Sequence, residues 1–566
     1  MKEANGPDTE LKPVIDDDDE NSGYGTVGND SLELKPWRNL HCLEENDVPP
    51  EGQPLLGGAR EKRPPSPSSS NSVLRSQPKL LLALVLAVYG LVQGAGSQLF
   101  LMGFLYYWKD EAAVGPGRLQ QLQVLSYSPW DFKLLWGFLS DAAPPKIRYL
   151  TLGAFSAIIF LGLLAGVASE NQTLGAWISF APLLFFQVNV ALAVVDVMTD
   201  GIIVERVRNK TGAASSVYSF GTMAHFVCAA FAGLVKGKLQ DEVGAAGQFA
   251  LVAVLLIPVA FVSVAIYCTP DFEGHRHGAS NGEAPQGVPA SVQWNFLLRT
   301  LALPCIYQPL LYTFLKGALV PSVSAAYFYF LTNSQAMALP VATENHTQVY
   351  SGGGGAAAGD EAQDSMPLAG PGFTPEWLGL MSVVGSLVST VTVYIFSKYM
   401  QNMGFRTVFT CCHVLHAVAS LGDLIMVLRL NVTVLGIPDK YFALMADDIV
   451  HPIVSRLHDL PMQVFTANAM CPPGLEATIF ALVNSVQHMG NDMGKWFGAL
   501  MLEAFGTSLR DLSELWLCLL VRTLLMLLPV ILTFLLIPGG LTPITVRMPT
   551  EVVDAFQVHG PPVKKK

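Results

Sequence analysis

Charge is scarce in this chain of 566 residues, where Asp, Glu, Lys and Arg together make up 14%. A soluble globular domain carries about 25%, so an ordinary soluble globule is excluded. The eight cysteines (Cys42, Cys228, Cys268, Cys305, Cys411, Cys412, Cys471 and Cys518) form no CxxC and no paired spacing. That argues against a disulfide framework or a zinc site and leaves them as small packing residues. No phosphate-cradling glycine loop, no metal-spaced His/Glu set and no nucleophile beside a base is found, so an enzyme, a cofactor and a resident metal are not expected. The N-terminus lacks the basic start and short apolar core of a signal peptide. Positive charge is not in excess either; the net charge is −11, and nucleic acid is not an expected partner.

Apolar residues are abundant: 51% of the chain is hydrophobic and the mean hydropathy is +0.40. Runs of about 20 such residues recur, each long enough to cross a hydrocarbon core. The expected fold class is therefore an all-α polytopic membrane protein embedded in a lipid bilayer. Twelve transmembrane helices are drawn at 80–106, 120–140, 149–169, 175–200, 213–235, 246–268, 302–331, 375–399, 407–428, 440–468, 476–504 and 513–537. A linker at 269–299, with Gly, Pro and His275-Arg276-His277, separates a bundle at 79–268 from one at 300–540 in a six-plus-six arrangement. The second bundle carries an insertion at 332–373 that is rich in glycine.

The first 78 residues hold fifteen acidic and eight basic residues, which leaves the rest of the chain near −4. Such a segment cannot bury enough apolar surface to order itself and is expected to be a disordered cytoplasmic tail. Within it, Glu51-Gly52-Gln53-Pro54-Leu55-Leu56 fits the acidic dileucine pattern that sorting adaptors read. The membrane is accordingly expected to be either the plasma membrane or an endosomal or vacuolar one. Cationic loops (Lys146/Arg148, Arg206/Arg208/Lys210, Lys398/Arg406) and the end of the 541–566 tail fall on one side, which places that side in the cytoplasm. The glycosylation sequons at Asn171, Asn345 and Asn431 then lie outside, and the one at Asn209 inside.

Because charge in a membrane costs roughly 2.5–3.5 kcal/mol per residue on insertion scales, each intramembrane charge is a candidate site. Asp131 and Lys133 sit two apart in the second span and point to different faces. One of the two can line a solute path; alternatively, Lys133 snorkels its amine to the interface. Asp196 and Asp200 are i, i+4 on one face of the fourth span, close enough to share a proton or to hold a cationic group. The bland alternative pairs Asp200 and Glu205 with Arg206 or Arg208. In the tenth span, Asp448, Ser455 and Asp459 fall on one helical stripe with His451 beside it, which suits proton coupling or, equally, a packing cluster of Asp447, His451 and Arg456. Gly490, Gly494 and Gly498 are spaced by four and would let another helix approach closely.

Pro129-Trp130-x-x-Lys133 with Gly137-x-x-Ser140-Asp141, Asp196-Val197-Met198-x-Asp200-Gly201-x-x-Val204-Glu205, and Leu460-Pro461 followed by Cys471-Pro472-x-Gly474-x-Glu476-Ala477-Thr478 resemble the folate–biopterin transporter family. That family is a branch of the major facilitator superfamily, and the likeness covers about 80–540. The chain departs from the pattern where Asn468-Ala469-Met470 stands in place of an arginine that the family often carries. The resemblance implies a secondary-active, proton-coupled transporter of folate or pterin solutes that works by alternating access. It implies a cytoplasmic gate at Gly137, Asp141, Arg148, Glu205 and Glu476. Asp131, Lys133, Asp196, Asp200, Asp448, His451 and Asp459 are then the candidates for the solute and proton path. Two other readings stay open. The same fold could carry a cation such as S-adenosylmethionine along these carboxylates, or the body could bind a solute as a sensor without moving it.

Overall fold

Helix is one of the two forms, with the closed barrel, that a lipid-embedded chain can take, because it satisfies every backbone N–H and C=O within its own segment. The structure, a computed structural model, describes residues 78–142, 145–169, 180–207, 213–269, 294, 297–299, 301–333, 370–400, 402–466, 470, 476–508 and 511–542. Among these, every regular element is helical. Most of the expected tails, linker and insertion, and of the Cys471–Glu476 motif, lies outside the described residues, as do Asn171 and Asn345.

The first helix, α1 (Lys79–Glu111), starts after Pro78 and includes a π-helical stretch at Leu86–Gly96. Pro116 opens α2 (Pro116–Tyr127), where the missing proline N–H is harmless. A 3-10 turn at Ser128–Trp130, set by Pro129, then leads into α3 (Lys133–Ala142). Next come α4 (Lys146–Ser169) and α5 (Ala181–Val207). The fifth and sixth spans form one run, α6 (Ala213–Cys268), broken at Gly244. Its φ of 70° there is open to glycine and strained for other residues.

The later helices are α7 (Pro304–Ala318), α8 (Ser324–Thr332), α9 (Pro375–Met400) and α10 (Phe405–Val427). At the start of α9 the Thr374 hydroxyl accepts the Trp377 N–H at 3.3 Å, with Pro375 and Glu376 in the first turn. They are followed by α11 (439–465), α12 (Glu476–Ala504) and α13 (Leu515–Leu536). A π-helical turn at Leu444–Val450 interrupts α11.

Seven of the described helical runs are long and apolar enough to cross a membrane by length and composition. The expected count of twelve exceeds this for physical reasons. Two expected spans merge at Gly244. Four others fall short, namely the second, seventh, tenth and eleventh. They are broken by turns or carry the charges Asp131, Lys133, Asp447, Asp448, Arg456, Asp459, Asp492 and Lys495. The helices that fail the hydropathy test are therefore largely those that hold the polar interior. Large apolar side chains such as Leu152, Phe231, Phe261 and Leu535 are two-thirds exposed, as expected for surfaces turned to lipid.

The described residues form one compact unit. Contacts of α6 with α9, and of α2 and α3 with α12, join the helices on either side of residues 270–293. Side-chain bonds join them at the face where α1 ends and α2 begins. Gln120, fully buried, donates its amide to Ser322 O (2.6 Å) and to Lys495 O (2.7 Å). Gln121 donates to Glu503 Oε1 at 2.6 Å, and the Tyr329 hydroxyl donates to Val114 O. Gly233 and Gly237 of α6 let its backbone touch that of α9 at Pro375–Gly379.

The glycine stripe of α12 packs as its spacing indicates. A Cβ on Gly490, Gly494 or Gly498 would collide with backbone carbonyls of Phe314, Gly317 and Ser322 respectively. The α7 and α12 backbones are thus in direct contact, an arrangement that small residues permit in membranes. Overpacking of this kind costs about 1–3 kcal/mol. Gly494→Ala should therefore lower the unfolding temperature of the detergent-solubilised protein, whereas Gly166→Ala, with nothing within 4 Å of the added carbon, should not.

One sequon, Asn431, is held by its own neighbours in the fold. Asn431 is fully buried, and its amide donates to Asp439 Oδ1 (2.7 Å) and Ile437 O (3.3 Å). The folded protein leaves no room there for a sugar, although the loop lies between helices as the sequence implied. Asn431→Gln should leave electrophoretic mobility before and after glycosidase treatment unchanged from the parent.

Candidate functional site

The i, i+4 carboxylates of α5 meet an i, i+4 pair on α1. The Gln93 amide donates to Asp196, and the Tyr89 hydroxyl donates to Asp200. Asp196 is also the ion-pair partner of Lys133, with Nζ–Oδ2 at 2.6 Å and both residues buried. The Lys133 ammonium sits 4.7 Å from the Trp130 ring centroid, a cation–π contact strengthened by the dry surroundings. Trp130 Nε1 in turn donates to Asn189 Oδ1 at 2.8 Å. Lys133 therefore does not snorkel; it is fixed to α5 across the helix interface. Asp131 faces the other way, within electrostatic range of Asp492 and Lys495 on α12. Its Oδ1 is buried without a hydrogen-bond partner among the described residues.

A second network fills the space between α7, α10, α11 and α13. Lys316 Nζ lies 2.9 Å from His458 Nδ1 and 3.9 Å from Asp459 Oδ1. The Tyr312 hydroxyl is 2.8 Å from His413 Nε2 and 3.3 Å from His458 Nε2. Arg522 of α13 pairs with Asp423 of α10 at 3.1 Å. The rings of His416 and His451 stand 4.9 Å apart. On α12, Lys495 holds Asp492 at 2.8 Å.

These side chains, apart from Tyr312 and Asp423, border a cavity of about 560 Å³, within the roughly 300–1,000 Å³ of small-molecule sites. Its walls come from α7, α10, α11, α12 and α13, with Tyr127 from α2. Three permanent cations (Lys316, Lys495, Arg522) and five imidazoles line it, against two carboxylates, Asp459 and Asp492. Among the described residues, no group of three His, Cys, Asp or Glu could hold a metal ion.

The candidate path residues are thus divided by the fold. Ser455, His451 and Asp459 line the cavity. Lys133, Asp196 and Asp200 form the separate network with α1. Asp448 leaves the stripe on which a regular helix would place it, because the wider π-helical turn at Leu444–Val450 changes the register. It faces α9, with Oδ1 3.2 Å from where a Cβ on Gly385 would stand, and its Oδ2 is buried without a hydrogen-bond partner among the described residues.

Of the gate residues, Gly137 is buried facing Ala481 of α12, and Arg148 is exposed. The side chains of Asp141, Glu205 and Glu476 lie outside the described residues. Lys316, His413, His416, Asp423, Arg522, Tyr89 and Gln93 were not singled out from the sequence. For Lys316, Asp423 and Arg522 the signal was present, since each is an isolated charge inside an apolar run. Tyr89 and Gln93 carried none.

Breaking a buried pair strands its partner and costs about 3–5 kcal/mol. Lys133→Met alone should therefore destabilise the folded protein strongly, and Lys133→Met with Asp196→Asn should recover much of the loss. A double-mutant cycle on thermal unfolding in detergent measures this.

A family model described as the BT1 family matches residues 93–545. The chain is 27% identical to a "Probable folate-biopterin transporter 6" of Arabidopsis thaliana, over 80% of this chain and 81% of the relative. It is 26% identical to a "Folate-biopterin transporter" of Synechocystis, over 83% and 84%. Among solved structures, the nucleoside transporter NupG superposes with a TM-score of 0.54 at 11% identity, covering 81% of this chain and 100% of that one. The inward-open xylose transporter XylE of E. coli gives 0.53 at 11%, covering 82% and 98%. These likenesses show the fold alone, that of the major facilitator transporters.

Proposed function

The chain belongs to the BT1 family and is a multi-pass membrane transporter, and from that premise we propose that it carries folate or a related pterin, driven by protons, through alternating access. The observation that carries this reading is the cavity lining. Lys316, Lys495 and Arg522 outnumber Asp459 and Asp492, so the field in the cavity favours a solute bearing carboxylate over a cation. This supports a folate-type solute over S-adenosylmethionine. It also offers a substitute for the arginine missing at 468–470, because Arg522 reaches the cavity from α13.

In this reading the helices act as a six-plus-six pair of bundles, 79–268 and 300–540, around the cavity. The face pinned by Gln120 and Gln121 is extracytoplasmic, by the cationic loops on the other side. Gly137, Asp141, Arg148, Glu205 and Glu476 form the opposing gate. The Lys133–Asp196 pair holds α3 to α5, and thus keeps the first bundle rigid while the second binds solute.

The test is uptake of labelled folic acid, biopterin and S-adenosylmethionine by cells expressing the full chain, with and without a protonophore. Folate or pterin should accumulate, and accumulation should collapse with the proton gradient. Uptake of S-adenosylmethionine alone would overturn the anion reading, and binding without accumulation would make the protein a sensor.

A further inference from the structure

Two groups of opposite charge meet at one ring nitrogen beside the cavity. His458 Nδ1 lies 2.9 Å from Lys316 Nζ and 3.4 Å from Asp459 Oδ1, and Lys316 Nζ is 3.9 Å from the same carboxylate oxygen. An ammonium only donates. With Lys316 charged, Nδ1 must therefore be bare, and the neutral imidazole carries its one hydrogen on Nε2. That N–H donates to the Tyr312 hydroxyl oxygen at 3.3 Å, and the Tyr312 O–H in turn donates to His413 Nε2 at 2.8 Å. The chain fixes the tautomer of His458 and holds its ring in place. A further proton can enter His458 only at Nδ1.

We propose that His458 is the proton-carrying residue of this transporter and that Lys316 passes its protonation state to the solute. The inference rests on the folate-type reading of the cavity. A proton on Nδ1 turns that atom from acceptor to donor, and it bonds to Asp459 in place of Lys316. Lys316 loses its acceptor and is free to take a carboxylate of the solute. Before the exchange the cluster holds one cation, Lys316, and one anion, Asp459. After it, imidazolium and ammonium balance Asp459 and the solute carboxylate. The cluster is neutral in both states, which is what burial demands. Release of the solute returns Lys316 to Nδ1, and the proton leaves on the side then open.

The surroundings fit this role. The other two permanent cations of the cavity already hold carboxylates, Arg522 that of Asp423 at 3.1 Å and Lys495 that of Asp492 at 2.8 Å. The short contact of Lys316 is an imidazole instead, so its charge is the one left for the solute. From α10 the Phe409 ring centroid stands 5.0 Å from that of His458, close enough to steady an imidazolium by a cation–π contact. Cys412 and His416 from α10, His451 from α11 and His488 from α12 border the same cavity. Arg456, on the same helix as His458, is within electrostatic range of Asp459.

The experiment uses the purified full chain and folic acid as the probe. In weakly buffered solution, binding of folic acid to the parent should take up close to one proton per ligand. Affinity should rise as the pH falls, by up to about tenfold per pH unit, the limit for one linked proton. His458→Gln, whose amide can accept from Lys316 but carries no proton, should bind without proton uptake and with a flat pH profile. Asp459→Asn should also lose the uptake, because the solute carboxylate then balances Lys316 directly. A second measurement needs no variant to fold. Deuterium exchange at the imidazole C2 of the parent, read by mass on the peptide that begins after Arg456, should show His458 neutral without folic acid and protonated with it at the same pH. Binding without proton uptake by the parent, unchanged protonation of His458, or uptake retained by either variant overturns His458 as the carrier and leaves the folate reading standing. A parent that binds no folic acid overturns the folate reading itself and, with it, the exchange of partners on Lys316.

Discussion

A charge placed in hydrocarbon must find a partner, and the architecture of this protein follows from that requirement. Lys133 and Asp196 meet at 2.6 Å across the α3–α5 interface, and their contact dictates how the two helices rotate against one another. Gln93 and Tyr89 then have to stand opposite Asp196 and Asp200, which sets the face that α1 turns inward. In the second set of helices the same rule binds Lys316 to His458 and Asp459, and Arg522 to Asp423. Each buried ion pair is thus also a statement about helix orientation. None of them adds much net stability over an apolar substitute of the same shape, but removal of one partner is severe.

The part of this design legible in the sequence is the part carried by single residues or by regular spacing. Asp196 and Asp200 announce a shared face because four residues make one turn, and both are met by the same helix. The glycines of α12 announce a close approach for the same reason. Lys133 gave two readings, and only its partner on another helix could choose between them. Asp448 was misplaced because the stripe argument assumes 100° per residue, and the π-helical turn removes that regularity without marking it in the composition. Arg522 and Asp423 were visible as isolated charges, but nothing in one dimension says that position 423 faces position 522.

The hydropathy pattern holds a similar lesson. The runs that are too polar or too interrupted to count as spans by themselves all lie beside the cavity or the charged networks. Helices α2, α3, α7, α11 and α12 carry the turns and charges, while α4, α9 and α13 present apolar side chains outward. A weak membrane signal here marks an interior helix, shielded from lipid by its neighbours. Spans and polar interior are therefore two aspects of one distribution of polarity.

Gln120 shows how the joint between the two sets of helices is divided. Its single amide bridges two backbone carbonyls, Ser322 O and Lys495 O, at the face where the two sets of helices are pinned. Each such bond is worth about 1 kcal/mol net, so Gln120 contributes about 2 kcal/mol to holding this face together. It acts beside the Gln121 and Tyr329 bonds at the same face, so the joint is a sum of several modest bonds and no single side chain holds it.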